Sequence, residues 1–490
     1  MADNSRRNPP GELAPGERSC VIVLADGARA DVFENLLAAG MLPEIEQHVV
    51  ERGSLRQATS TFTSTTGPAH VPMLTGCFCG TANVPGYRWF EPGAHRPGLP
   101  AGPWCLRSYN GPESELLNRD LSSRVRTLYE LVDNPVNVFG VLTRGLPAGG
   151  DLWRWRKSAL WLWAHYRGEY VRADRAASAA LLDAIERRAE VAFVAFPGID
   201  WSSHYLSPFG SEAEDAYLAL DEAVGAAARA LRDAGRYEST LLVICSDHGH
   251  SPVRAHFDLS VRMESDRGLR VAYHSRKALV RNPEAVACVS GNGMAHVYAV
   301  APDRREPMLE DLRTWLLAEE AIDILISRSG DGLLVESRRG RATLSEEPAG
   351  VRYSPLAGDP FGYPELPETM SFEEALTATA GTAYPDGLVQ AAQIFRSPRC
   401  GDLVVSAAPG YDLRERHEQP EHLSSHGGLH ADHMNVPLAS SVALADGPLR
   451  TADVFPTVLE WLQRPVPAGI DGTSRLAAGS RARRDSVTPP

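Results

Sequence analysis

The sequence predicts an α/β fold built on a mostly parallel central sheet, and three apolar runs carry the prediction. Cys20 to Ala25, Val191 to Phe196 and Leu241 to Cys245 are short and continuous, the pattern of strands covered on both faces. Each run halts at polar chemistry: Asp26-Gly27 after the first, Pro197-Gly198-Ile199-Asp200 after the second, Ser246-Asp247-His248-Gly249 after the third. Parallel α/β sheets hold their chemistry at the carboxyl ends of strands, so these ends form the candidate site.

Taken in order, the chain opens with a polar, Pro-rich segment, Met1 to Ser19, that has no apolar core of a signal peptide. Residues 1–17 are expected to be a disordered tail and 18–265 the first part of a catalytic core. The first strand leads to a helix over Ala30 to Ala39. Thr59 to Gly76 is rich in hydroxyls; Thr66 stands before Gly67-Pro68 and a short helix through His70 to Leu74, whose amides could bind a phosphate. Composition alone does not say which hydroxyl matters. A Gly/Pro-rich pocket loop over 77–118 follows, then a helix at Arg124 to Leu131 and a strand at Val136 to Leu142. Residues 148–172 form a Trp-rich helical segment with Trp153, Trp155, Trp161 and Trp163, read as packing its aromatics on the core, with a substrate lid or membrane-touching segment as the alternative.

The pattern changes over 266–400, where short strands at Ala295 to Val300, Ile324 to Ser327 and Gly332 to Glu336, a helix at Met308 to Leu317 and a Gly/Pro-rich stretch over 348–388 suggest an inserted α+β cap. Residues 401–474 are expected to restore the core. The Arg-, Ser- and Pro-rich 475–490 are expected to be a disordered tail.

The side chains at the strand ends suit a cation. Adjacent Asp247 and His248 offer oxygen and nitrogen donors, and Asp200 and His204, four apart, can face one point. His426 precedes Gly427-Gly428, where backbone can approach a ligand closely. Taken singly, Asp26 reads as a helix cap and the others as turn or loop residues; together they point to metal binding. His70, His250, His256, His430 and His433, with Asp432, lie near the motifs and read as supporting or surface groups.

Composition limits the partners. The 490 residues carry 49 basic and 62 acidic side chains, a net charge of −13, which opposes binding of a nucleic-acid polymer but admits a small phosphate ester. Apolar residues at 43% and charged residues at 23% are those of a soluble globular protein. No stretch is long enough to span a bilayer. Seven cysteines show no paired C-x-x-C spacing, and Cys20 and Cys245 fall in core strands, which fits a reducing, cytoplasmic setting. Cys77-Phe-Cys79 lacks the companions a soft-metal site needs. No oligomeric state is legible.

The order Asp26, Thr66-Gly-Pro-Ala-His with Leu74-Thr-Gly, Asp200-x-x-x-His204, Ser246-Asp-His-Gly and Ser425-His426-Gly resembles the alkaline phosphatase superfamily, nearest its type I phosphodiesterase/nucleotide pyrophosphatase branch. Arg399-Cys-Gly-Asp-Leu-Val-Val and Arg450-Thr-Ala-Asp-Val-Phe-Pro-Thr-Val-Leu extend the likeness through the core. The resemblance implies an alkaline-phosphatase-like sandwich of helices around the sheet. It also implies two divalent ions, zinc with manganese as substitute, one on Asp200, His204 and His426 and the other on Asp26, Asp247 and His248 beside Thr66. The implied reaction is hydrolysis of a phosphodiester or nucleotide pyrophosphate through a phosphothreonine on Thr66. A phosphomonoesterase, a phosphonate hydrolase or a phosphotransferase or mutase using the same dinuclear site is the alternative. Where the branch has Phe-Pro-Asn after its Thr, this chain has Gly67-Pro68-Ala69, and the Cys-x-Pro-x-Arg signature of sulfatases is absent.

Overall fold

The first apolar run becomes β1 (Ser19–Ala25), buried along its whole length, which is why it can be apolar on both faces. β2 (Ser54–Thr59), β3 (Pro135–Val138), β4 (Val191–Phe196) and β5 (Thr240–Cys245) follow. The chain then builds a second sheet from β6 (Val271–Tyr273), β7 (Ala285–Ser290), β8 (Met294–Ala299), β9 (Ile322–Ser329), β10 (Gly332–Ser337), β11 (Gly340–Glu347), β12 (Gly350–Ala357), β13 (Thr369–Ser371) and β14 (Leu403–Ala407). It returns with β15 (Asn435–Ser440) and β16 (Leu449–Arg450). This computed structural model describes residues 18–478 apart from 97, 103, 154–159, 161–166, 170, 274–279 and 415–421.

In the first sheet the order is β16-β2-β15-β5-β1-β4-β3, with β15 antiparallel to both neighbours and the other pairs parallel. The second runs β6-β7-β8-β14-β9-β10-β11-β12-β13, antiparallel apart from its β6-β7 edge pair. Helices α1 (Ala30–Ala38), α2 (His70–Thr75), α3 (Val171–Glu186), α4 (Gly198–Tyr205), α5 (Ser211–Asp233), α6 (Arg305–Ala318) and α7 (Val454–Trp461) complete the main frame. α3 and α5 pack against each other, and both bury many alanines, small side chains that let helix backbones approach. α6 buries Met308, Leu312 and Leu316, one stripe at a spacing of four. Arg450, which ends β16, is buried and bonds Asp386 at 2.7 and 2.8 Å, joining the first sheet to the segment beyond β13.

Several expectations are corrected. The helix expected at Arg124 to Leu131 is a single tight turn at Leu128–Glu130. Arg144 donates to the carbonyl of Val125, which such a helix would use, and to those of Leu121 and Ser122 just before it. The strand expected to reach Leu142 ends at Val138, because Phe139 adopts a left-handed φ of 61°. The core does not resume at 401: β14 lies between β8 and β9 in the second sheet, and the first sheet resumes only at Asn435. The Gly/Pro-rich 348–388 contains β12, β13 and a helix over Phe372–Thr379. Nor does a tail begin at 475, since Arg475 bonds Asp453 and Glu373, and Leu476 is buried. The expected tail at 1–17, residues 479–490 of the tail expected at 475–490, and Trp155, Trp161 and Trp163 lie outside the described residues; Trp153 packs edge-on against Phe139 with ring centres 5.7 Å apart. Among the described residues, no helix is long and apolar enough to cross a membrane.

Candidate active site

Strand register alone brings three acids together. β1 pairs in parallel with β5, Leu24 opposite Cys245, and with β4, Ala25 opposite Phe196, so the residues just past all three ends become neighbours. Asp26 N–H donates to Phe196 O at 3.2 Å, Ala28 N–H to Ser246 Oγ at 2.9 Å and Gly27 N–H to Asp247 Oδ1 at 3.4 Å. Gly27 has φ of +75°, and a Cβ there would sit 2.9 Å from both Asp200 Cα and His250 Nε2, so only glycine allows the approach. α4 carries Asp200 and His204 one turn apart, with His204 Nε2 3.3 Å from Asp200 Oδ1. Its first N–H, at Gly198, donates at 3.0 Å to Asp174, a buried acid on α3.

His426 arrives on a loop held by the second sheet. Gly293 N–H donates to His426 O at 2.7 Å and His426 N–H to Gly291 O at 3.3 Å. Gly291 has φ of +59°, and a Cβ on it would lie 2.8 Å from both His426 Nδ1 and Thr65 Oγ1. His433 accepts the Gly428 N–H at 3.0 Å through Nδ1 and donates from Nε2 to Ser251 Oγ at 2.7 Å, bracing the same loop.

The protonation of the rings decides what the site can hold. His204 Nδ1 lies 2.9 Å from Ser424 O and His426 Nδ1 lies 3.1 Å from Ser64 O. Carbonyls only accept, so both Nδ1 atoms carry hydrogen, and each ring, when neutral, presents an Nε2 lone pair. Those two Nε2 atoms face each other at 3.1 Å, at 3.3 and 3.7 Å from Asp200 Oδ1. With His250 Nε2 also 2.9 Å from Asp200 Oδ1, nitrogen and oxygen atoms converge on one point, an arrangement suited to a cation. His248 repeats it: Nδ1 is 3.1 Å from Gly249 O, and Nε2 is 3.6 Å from Asp26 Oδ1 and 3.5 Å from Asp247 Oδ2. Two buried groups, Asp200/His248/His250/His426 and Asp26/Asp247/His248, each hold their donor atoms within 4.8 Å of one another.

Charge at the site is divided unequally. Burial, with Asp247 and Asp200 close by, raises the Asp26 carboxyl well above its ordinary range. Burial works the same way on Asp200, but His204 and His250 overcome it and hold that carboxyl well below the usual range. Asp247 is also lowered, burial being outweighed by His248 and His70. Burial lowers His426 well below its ordinary value, helped by His248 and His204, which keeps the ring neutral as a ligand requires.

The structure thus brings Asp26, Thr66, Asp200, His204, Asp247, His248 and His426 into one cluster, buried except for the partly exposed Thr66 and His204. Thr66 Oγ1 donates to Asp26 Oδ1 at 3.2 Å and lies 3.1 Å from His248 Nε2. His250, read from sequence as a supporting or surface residue, has Nε2 2.9 Å from Asp200 Oδ1. His256 pairs with Asp412 and His430 with Asp432, apart from the cluster. Ala69, at the position of the branch's Asn, is fully buried. The Gly291 contact comes from the β7–β8 turn of the second sheet and had no signal in the sequence.

A model of the type I phosphodiesterase/nucleotide pyrophosphatase family matches residues 20–106 and 151–429. The chain belongs to that family. As a type I phosphodiesterase/nucleotide pyrophosphatase, within the alkaline phosphatase superfamily, it is a hydrolytic enzyme acting on phosphate esters. Among solved structures it is similar to phosphonoacetate hydrolase from Sinorhizobium meliloti 1021 in complex with phosphonoacetate, with TM-score 0.58 and 17% identity over 94% of this chain and 98% of that one. It is also similar to murine ectonucleotide pyrophosphatase/phosphodiesterase 5, with TM-score 0.54 and 13% identity over 92% of this chain and 96% of that one. At such identities the likeness is one of fold. No curated protein matches the chain.

Proposed function

We propose that this family member is a two-metal phosphodiesterase, or nucleotide pyrophosphatase, working through a phosphothreonine on Thr66. The Thr66 hydroxyl carries the reading, at 3.2 Å from Asp26 Oδ1 and 3.1 Å from His248 Nε2. Hydroxyls beside it are otherwise engaged: Ser60, Thr63 and Ser64 donate to the carbonyls of Asp247, Gly427 and Gly428. In this reading Asp200, His204 and His426 hold one divalent ion and Asp26, Asp247 and His248 the other, with Thr66 beside the second. The nitrogen and oxygen donors suit zinc, with manganese as a substitute. Such ions neutralise charge on phosphoryl oxygens and acidify a hydroxyl that is otherwise a poor nucleophile.

The protein's own part is orientation. Asp26 Oδ1 takes the Thr66 hydrogen bond and so aims the lone pairs of Oγ1 away from itself. Thr66 Oγ1 then attacks phosphorus in line, the P–O bond to the leaving alcohol breaks, and water later displaces Thr66 from phosphorus to release the monoester. Six of the seven cysteines are buried, two of them within the core strands β1 and β5, which fits a reducing compartment, and we place the enzyme in the cytoplasm.

A second reading, phosphonate hydrolysis, is favoured by the overlay on a phosphonoacetate hydrolase at TM-score 0.58. The test is purified, zinc-loaded protein offered bis-p-nitrophenyl phosphate, thymidine p-nitrophenyl phosphate, p-nitrophenyl phosphate and phosphonoacetate. Turnover of the diesters above the others is the expected result, and dominant phosphonoacetate cleavage would select the second reading.

A further inference from the structure

His70 is the first residue of α2, four residues after Thr66, and the mechanism above gives it no task. It is 1% exposed, and neither ring nitrogen has a hydrogen-bond partner. Its ring lies against Phe193 of β4, with centres 5.6 Å apart. A leucine or phenylalanine there would bury similar apolar surface without an unpaired polar atom, so a solitary imidazole is disfavoured unless it has a partner. The polar atom beside it is Asp247 Oδ2, 3.4 Å from His70 Nε2.

Asp247 is unsatisfied in the matching way. Its Oδ1 accepts the N–H groups of Gly27 at 3.4 Å and His248 at 3.2 Å, which fixes that oxygen to the backbone. Its Oδ2 is fully buried, has no hydrogen-bond partner, and lies 3.5 Å from His248 Nε2 on the side of the Asp26/Asp247/His248 group. One buried donor without an acceptor thus stands next to one buried acceptor without a donor.

We propose that His70 is the positioning residue of this cluster, donating Nε2–H to Asp247 Oδ2 so that the oxygen's remaining lone pair faces Asp26 and His248. The inference rests on the dinuclear reading of the site. A carboxylate held by the backbone through one oxygen and by an imidazole through the other cannot swing, and a ligand that cannot swing binds a cation more tightly. His70 also makes the helix that follows the nucleophile part of the metal site, since its backbone N–H bonds Gly67 O at 3.1 Å.

The test is titration of metal-free protein with Zn²⁺ in competition with a chromophoric chelator, alongside thermal unfolding of the metal-free form. Wild type should take up two ions. His70→Leu should weaken one of the two by about 10- to 100-fold, leave the other unchanged, and unfold at the same temperature or higher when metal-free. His70→Gln, whose side-chain amide can reach Oδ2, should recover most of the lost affinity. Wild-type affinity at both sites in His70→Leu would overturn the proposal, as would His70→Gln binding no better than His70→Leu. A metal-free His70→Leu that is strongly destabilised or unfolded would make His70 a packing residue and overturn it too. Uptake of fewer than two ions by wild type would instead count against the dinuclear reading, and the two failures are thereby distinct.

Discussion

His248 and His426 stack face to face, ring centres 3.7 Å apart and planes 13° from parallel. One follows β5 of the first sheet; the other is held by the β7–β8 turn of the second. The two donor groups therefore share a wall.

Metal content follows from that wall. Active protein should contain about two zinc-like ions per chain by elemental analysis, and chelation should abolish turnover in a way zinc restores. Asp247→Asn and His426→Ala should each lower occupancy chiefly of their own site, and the stacked rings should make the second site somewhat weaker as well. One or no tightly bound ion in fully active protein would sink the dinuclear reading.

The nucleophile can be tested separately from the metals. Thr66→Ala should reduce kcat on the order of 10³-fold or more with metal content and unfolding temperature nearly unchanged, and Thr66→Ser should keep part of the activity. Near-normal turnover in Thr66→Ala, with loss in Thr63→Ala or Thr65→Ala, would move the attacking oxygen elsewhere in the stretch.

A pH signature should come from Asp174, whose carboxyl is pushed up to about 8 by burial, offset in part by the Gly198 N–H. Its folded value lies above the unfolded one, so the folded state binds the extra proton. Its favourable effect on folding is complete at low pH and is lost as pH rises from about 4 through the folded value of about 8. Asp174→Asn keeps an acceptor for Gly198 but cannot ionise. Thermal unfolding should find wild type losing stability relative to the variant between pH 5 and pH 9, by on the order of a few kcal/mol at most, and parallel curves for the two proteins would refute the assignment.

Substrate preference is the fourth expectation. Among the described residues the clusters able to hold an ion are the two already described, which leaves no third carboxylate group of the sort a dedicated monoesterase would use. Diester turnover should exceed monoester turnover with both sites filled. Faster cleavage of p-nitrophenyl phosphate than of every diester and phosphonate tried would point to a phosphatase or phosphotransferase.

The parts of this architecture that depend on local pattern were legible in the sequence. β1, β4 and β5 are apolar runs ended by acids, and parallel pairing in register leaves Asp26, Asp200 and Asp247 nowhere to go but together. What depends on distant partners was not legible. Leu403–Ala407 reads like any buried strand, and nothing local says that it slots between β8 and β9. Arg124 to Leu131 has a helical pattern, yet an arginine some twenty residues later binds the Val125 carbonyl and the two carbonyls of the turn before it. His250 resembles any histidine near a motif until the folded chain sets it 2.9 Å from Asp200.

The contact between Gly291 and His426 bears on how this enzyme could diversify. The β7–β8 turn of the second sheet is the backbone mould in which the His426 loop is cast, with no room for even a methyl group. A second sheet transplanted from a relative would have to bring its own bare turn in the same register or displace the imidazole. New specificity in this lineage should accordingly be found in the strands and loops away from that turn, with Gly291 and the His426 loop changing in concert or not at all.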